Sequence, residues 1–279
     1  SGTLEPGIPF CPPEGDAATG MVATNAVRPR SGSISAGTSG FVLLVLEKPL
    51  RGWYPEVDVV ATPTGKPVAM AHCNTCTSEI DAWVRLFGEV LRRNGADVPM
   101  DALYAQLYSA ALDGAPDAGG MVAFNYFAGE PLSATEHGRP MLVRLPESAL
   151  SVPNFMRAQL YGALATLRMG VDLLREQENV PLDRLLGHGG FFKTPRAGQQ
   201  ILADVFGVPA AQMETAGEGG PWSMALLAAY RANRAPGESL EDYLQTRVFQ
   251  NAKCETLQPT PEGMAGFQKY YGRYRAALN

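Results

Sequence analysis

The chain has 279 residues, 46% of them hydrophobic and 18% charged, which is enough for one large domain or two small ones around a real core. A net charge of −5 with no Lys/Arg-rich run argues against a nucleic-acid footprint. The longest apolar runs, such as FVLLVL at 41–46, are far too short to cross a bilayer, and the opening SGTLEPGIPF lacks the basic start and apolar core of a signal peptide.

In chain order, residues 1–15 form a Pro/Gly-rich connector, and 16–279 read as one α/β domain. Asp16 is expected at the N-cap of a short helix in GDAATGMVATNAV. A strand over 31–36 then turns through Gly37, Thr38, Ser39 and Gly40 into a second strand over 41–47. That turn brings permissive glycines, consecutive N–H groups and two hydroxyls to one spot, which suits a bound phosphate; taken alone, an ordinary Ser/Thr/Gly hairpin loop is the commoner explanation. Two short strands flank the Pro63-Thr-Gly-Lys66 turn. A helix follows, capped by Thr77 or Ser78, striped by Ile80, Val84, Phe87 and Leu91, and ended by Gly95. A second helix carries Leu103 and Leu107 on one face. GGMVAFNYFAGE reads as a buried strand leaving into a loop at Gly129, and PMLVRLPE as another short strand. A long helix over 154–177 places Met156, Leu160, Ala163, Leu167 and Val171 at core spacing. DRLLGHGG is a strand entering a glycine turn, TPRAGQQILADVFG is the next helix, and the remainder reads as helix-rich.

Four cysteines (Cys11, Cys73, Cys76, Cys254) and three histidines (His72, His137, His188) are few for this length and fit a reducing, cytoplasmic setting. HCNTC at 72–76 contains a C-x-x-C that could be half a zinc site or a redox pair. A zinc site would need a distant fourth ligand, with Cys254 the only other plausible thiol; ordinary buried thiols are the plainer reading. None of the glycine loops GTSG, FAGE and GHGGFFKTP has the spacing of a P-loop or of a Rossmann fingerprint, so a nucleotide site would need another scaffold.

The order of EGDAATG, SAGTSG, YFAGE, a long helix, GHGGFFKTPRAGQQILADVFGVP and ETAGEGGPWSMALLAAY resembles the C-terminal half of the FGGY carbohydrate kinases, xylulokinases and L-ribulokinases above all. The resemblance implies an actin-like (ribonuclease-H-like) domain with a mixed sheet flanked by helices and extra C-terminal helices. It implies ATP-dependent phosphorylation of a sugar hydroxyl, with a ketopentose favoured and gluconate, glycerol or a non-catalytic nucleotide-binding module as alternatives. By resemblance, Asp16 takes the proton from the attacking hydroxyl, where a plain N-cap would be worth only about 1 kcal/mol. Gly37, Thr38 and Ser39 match the loop that grips the β- and γ-phosphates, and Gly129 a third loop near phosphates and ribose. Gly189 and Gly190 match the pair beneath adenine, with Phe191 and Thr194 close by, while His188 stands where a small residue is usual and receives no catalytic role. ATP/ADP and Mg²⁺ are the implied cofactors. The first actin-like domain of the family has no counterpart in these residues, so the other half of the kinase is the implied partner, residues 1–15 the hinge to it, and this chain alone is expected to be inactive. A homodimer stays open.

Overall fold

The structure is a computed structural model that describes residues 7–11, 13–215 and 219–278. Its centre is a seven-stranded sheet built from β1 (Ser31–Ala36), β2 (Gly40–Val45), β3 (Asp58–Ala61), β4 (Pro67–Cys73), β7 (Arg184–His188), β8 (Ala210–Met213) and β9 (Cys254–Leu257), in the order β3-β4-β2-β1-β7-β8-β9. β1 and β2 form an antiparallel hairpin in which Ala36 opposes Gly40, and β4 and β3 extend it antiparallel on one side. On the other side β7 runs parallel to β1 and β8 parallel to β7, before β9 closes the edge antiparallel. A separate pair, β5 (Val122–Phe124) and β6 (Met141–Val143), stands apart from this sheet.

Helices cover both faces, and this explains the unbroken apolar run in β2. Val42 and Leu44 enter one core and Leu43 and Val45 the other, so a strand buried on both sides has no polar alternation to show. The larger core packs α2 (Ser78–Arg93), α3 (Met100–Ala110), α4 (Val152–Glu178), α5 (Ala197–Phe206) and α8 (Pro261–Ala276) on one face; the smaller packs α1 (Asp16–Ala23), α6 (Gly219–Asn233) and α7 (Leu240–Tyr243) on the other. α4 is the central pillar. Its Ser151 cap accepts from the Asn154 N–H, Asn179 ends it in the left-handed region at φ 54°, and every residue from 154 to 167 is buried. In α8, Phe267, Tyr270, Tyr271 and Tyr274 repeat at helical spacing and all bury. Among the described residues no helix is long and apolar enough to cross a membrane.

One local expectation is corrected, and two strands were not anticipated. Asp16 is the first helical residue of α1, and Gly15 occupies the N-cap position. The C-terminal third is helix-rich as expected, with α6, α7 and α8, but it also holds β8 and β9, which complete the sheet. β8 reads Ala-Ala-Gln-Met and β9 Cys-Glu-Thr-Leu: each has four residues, and of the β-branched and aromatic types they hold only Thr256. Ladder pairing to β7 and to each other makes them strands.

Candidate nucleotide site

Two parallel strands set the site. β1 and β7 are in register, Ser35 opposite His188, so the residues that follow them, 37–39 and 189–194, leave the same carboxyl edge of the sheet side by side. Ligands bind at such edges because the loops there are free of the ladder while the strands hold their bases rigid. α1 also begins at this edge: a Cβ on Gly20 would lie 3.0 Å from His188 Nε2. α6 begins beside α1, where the Ser223 hydroxyl donates to the Thr19 carbonyl at 2.7 Å. Asp16 thus opens a helix whose following turn packs on the end of β7; the Asp16 side chain lies outside the described residues.

The loop between β1 and β2 is pinned by its carbonyls. The Gly37 carbonyl accepts from the Thr77 N–H at 2.9 Å and the Thr77 hydroxyl at 2.8 Å, while the Thr38 carbonyl accepts from the Cys76 N–H at 2.8 Å and the Ser78 hydroxyl at 3.3 Å. Thr77 or Ser78 was expected to cap α2; Thr77 does occupy the N-cap position, but its hydroxyl holds the loop and no side-chain cap bond forms. With both carbonyls anchored, Thr38 and Ser39 stand exposed, and neither of their N–H groups has a partner within the described residues. Adjacent free N–H groups and two hydroxyls are a place for an anion. A Cβ on Gly37 would meet nothing nearer than 3.9 Å, so nothing in the fold demands glycine there.

The pair after β7 divides in two. Gly189 has φ +100° and ψ −178°, and a Cβ would fall 2.7 Å from the Ala36 carbonyl oxygen, so this glycine seats the loop on the end of β1. Gly190 is exposed, and a Cβ would meet nothing within 4 Å. Its open face is the one a flat ligand would occupy. Phe191, expected near adenine, is fully buried and packs edge-on to Tyr108 and Phe192 at 5.8 and 5.3 Å. The ring supports the loop from below, on the core side of Gly190. Thr194 is buried too. Next to this loop Phe192, Lys193, Gln212 and Glu214 wall a hollow of about 320 Å³.

His188 lies under α1, edge-on to Phe41 at 6.4 Å. Burial lowers its pKa from the ordinary value, and its Nε2 has no partner among the described residues. The ring explains Gly20, since any larger residue in that turn of α1 would strike it.

Gly129 reaches the site through the turn at 73–77. A Cβ on Gly129 would come within 2.5 Å of the Glu136 carbonyl oxygen, so close packing requires the glycine. The Gly129 carbonyl accepts from Asn74 Nδ2 at 2.6 Å. Beside it the fully buried Glu130 carboxylate accepts from the Asn74 and Thr75 N–H groups at 2.9 and 2.8 Å. Burial raises this carboxyl above its usual range, and the two N–H donors partly offset the rise. Asn125 Nδ2 donates to the Thr75 and Cys76 carbonyls at 3.0 and 2.7 Å. One turn therefore ties the GTSG loop to the FAGE loop. Asn74, Thr75, Asn125 and Glu130 were not anticipated. The acidic residue closing FAGE and the polar pair inside HCNTC were visible, but only the crossing of the two loops gives them a purpose.

Thr38, Ser39, Gly189 and Gly190 are exposed, so the glycine loops form an open shelf, and larger hollows lie elsewhere, one of about 480 Å³ bounded by Tyr54, Met169 and Tyr271. Among the described residues no three His, Cys, Asp or Glu side chains gather as a metal cage; Cys73 and Cys76 are buried and Cys254 is exposed, all three as free thiols.

A four-stranded antiparallel unit continued by two parallel strands and closed by an antiparallel edge strand, with helices on both faces and loops converging at one carboxyl edge, is the actin-like ATPase fold. A xylulose kinase from Rhodospirillum rubrum superposes with a TM-score of 0.73 at 20% identity, covering 94% of this chain and 49% of that one. A Plasmodium falciparum glycerol kinase with ADP gives 0.71 at 15% identity, covering 95% and 50%. In sequence, the xylulose kinase of Haemophilus influenzae is 25% identical over 271 residues, 95% of this chain and 50% of the relative. Residues 32–232 match the C-terminal domain of the FGGY family of carbohydrate kinases, and the chain belongs to that family. It spans about half the length of the relatives it matches.

Proposed function

We propose that this chain is the nucleotide-binding half of an ATP-dependent kinase for a sugar or polyol hydroxyl, with a ketopentose such as xylulose or ribulose as the favoured acceptor. The observation that carries the reading is the convergence of free N–H groups at residues 38 and 39, the open face of Gly190 and the start of α1 on one edge of the sheet. The loop at 37–39 would hold the β- and γ-phosphates, and adenine would lie on Gly190 with ribose toward the Gly129 loop. Both fit the space that these glycines leave or shape. Mg²⁺, carried on the phosphates, would neutralise the charge that builds on them during transfer.

Asp16 would act as the base. At the first position of α1 its carboxylate is favoured in the ionised form by the helix dipole, so it can accept the proton of the attacking hydroxyl. The alcohol oxygen then bonds to the γ-phosphorus as the bond to the bridging oxygen breaks, and ADP leaves. Positioning and charge neutralisation supply most of such catalysis. An open shelf suits a half-enzyme that the other half closes over, and four free cysteines support a reducing, cytoplasmic setting. The names of the structural relatives, a gluconate kinase and a glycerol kinase among them, leave gluconate and glycerol as the alternative acceptors.

The test is Asp16→Asn in the protein that joins this chain to its other half, assayed by coupled ADP release over a panel of ketoses, polyols and aldonates. Turnover should fall about 10²–10⁴-fold with ADP affinity nearly intact. Unchanged turnover removes Asp16 from the mechanism, and absence of activity on every acceptor removes the kinase reading.

A further inference from the structure

The C-x-x-C of HCNTC has no part in the proposed chemistry, yet it lies directly under the phosphate loop. Cys73 ends β4 opposite Gly40, and Cys76 stands two residues before α2. Both are fully buried and both are free thiols. Their sulfurs lie 3.1 and 3.2 Å from the point where a Cβ on Gly40 would sit, so the last glycine of GTSG is the space that the two thiols share. Cys76 Sγ is 3.5 Å from the Ala163 carbonyl, which closes the pocket from the α4 side. The two residues between them, Asn74 and Thr75, carry the contacts to Gly129 and Glu130.

We propose that Cys73 and Cys76 are a peroxide-sensitive dithiol, and that closing it to a disulfide loosens the clamp between the GTSG and FAGE loops. The consequence for nucleotide binding rests on the kinase reading above; the disulfide and the loop response do not. A disulfide needs the sulfurs at about 2.0 Å and the Cβ atoms at about 3.5–4.5 Å, and because Cys73 is held in the ladder opposite Gly40, whatever adjustment the bond requires falls on the Cys76 side. The Cys76 main chain is held from both sides, its N–H on the Thr38 carbonyl at 2.8 Å and its carbonyl on Asn125 at 2.7 Å. A shift of about 1 Å takes such bonds out of range. The hydrogen bond to Cys76 and then burial push the Cys73 thiol up, which suits Cys73 to the resolving step.

The chemistry balances with a hydroperoxide as oxidant. The Cys76 thiolate attacks one peroxide oxygen, the O–O bond breaks, and hydroxide leaves as Cys76 becomes a sulfenic acid. Cys73 then attacks that sulfur and expels hydroxide. Two thiols and one hydrogen peroxide give one disulfide and two waters, the thiol protons ending in the waters. Buried thiols are ordinarily inert, so the reaction needs the cover to lift. The cover on this side is the loop at 37–39, whose Thr38 and Ser39 are exposed.

The experiment treats the folded, reduced chain with hydrogen peroxide, with and without ADP. It reads the peptide holding Cys73 and Cys76 by mass spectrometry after alkylation, amide exchange at residues 37–40 and 74–77, and ADP affinity by calorimetry. The expected result is loss of two hydrogens from that peptide without alkylation, slower with ADP present. Faster exchange at 37–40 and an ADP affinity at least tenfold weaker should accompany it, all reversed by dithiothreitol and absent in Cys73→Ala. A disulfide that appears only after unfolding in urea, oxidation that stops at sulfinic acid, or a disulfide that leaves exchange at 37–40 unchanged overturns the proposal. If the reduced chain binds no ADP, the nucleotide reading fails, while the peptide mass and the exchange still decide this one.

Discussion

Gly189 and Gly190 are adjacent in sequence, and the structure assigns them opposite reasons for being glycine. For Gly189→Ala, the backbone at φ +100°, ψ −178° belongs to a region essentially reserved for glycine, costing about 1–3 kcal/mol for any other residue. The new Cβ would also press on the Ala36 carbonyl oxygen 2.7 Å away, and on its carbon at 3.1 Å. Both atoms are backbone at the end of β1 and cannot swing aside. Together these give a loss of roughly 2–4 kcal/mol, which for a domain of this size lowers Tm by several degrees. For Gly190→Val nothing lies within 4 Å of the Cβ, so stability should stay within about 0.5 kcal/mol. The valine would, however, stand where the adenine plane is proposed, and ADP should bind at least about tenfold more weakly, or about 1.4 kcal/mol. Urea denaturation and ADP calorimetry on the two variants separate the roles. A Gly189→Ala chain as stable as the parent would refute the steric reasoning, and a Gly190→Val chain with normal ADP affinity would refute the placement of the base.

Other tests follow from the charged and packed groups. Glu178, whose side chain is 4% exposed, accepts from the Arg51 and Gly52 N–H groups and the Tyr54 hydroxyl, which hold its carboxyl down at about 2. Its folded pKa is depressed, so its contribution is complete above the unfolded value near 4.5 and lost as pH falls toward about 2. Glu178→Gln should therefore flatten the acid limb of a stability–pH curve in that window, and an unchanged limb would count against the assignment. His188 is shifted below its ordinary 6.5, so the folded chain should lose stability as pH drops below 6.5; an imidazole seen by NMR to titrate at or above 6.5 contradicts its burial. Gly20→Ala should fail to deliver the roughly 0.8–1 kcal/mol that helical alanine offers, because its Cβ meets the His188 ring. In a His188→Ala background the gain should appear, and equal effects of Gly20→Ala in both backgrounds would show that the ring yields freely.

Elements whose character is local could be read directly. α2 and α4 announce themselves by periodic apolar residues, and the β1–β2 hairpin by its strand–glycine–strand rhythm. β8 and β9 could not be read, because four small or polar residues carry little preference of their own. Phe191 shows the same limit at the scale of one side chain. The family resemblance set Phe191 close to the adenine, and only the position of Tyr108 from α3 shows the ring in the core.

The order of glycine loops along the chain was enough to bring out the family resemblance, since each loop follows a strand and such punctuation survives without any knowledge of what packs where. The sequence by itself could not say which glycines face open space and which are wedged against backbone, nor that HCNTC is the knot between two loops. Those are decided by contacts that the order of residues does not display, such as Gly189 with Ala36, Thr77 with Gly37 and Thr75 with Glu130. A local pattern reports a residue's own backbone preference. Whether a carbonyl, a thiol or a ring from elsewhere fills the space beside it depends on how the chain closes, and only the folded structure holds that information.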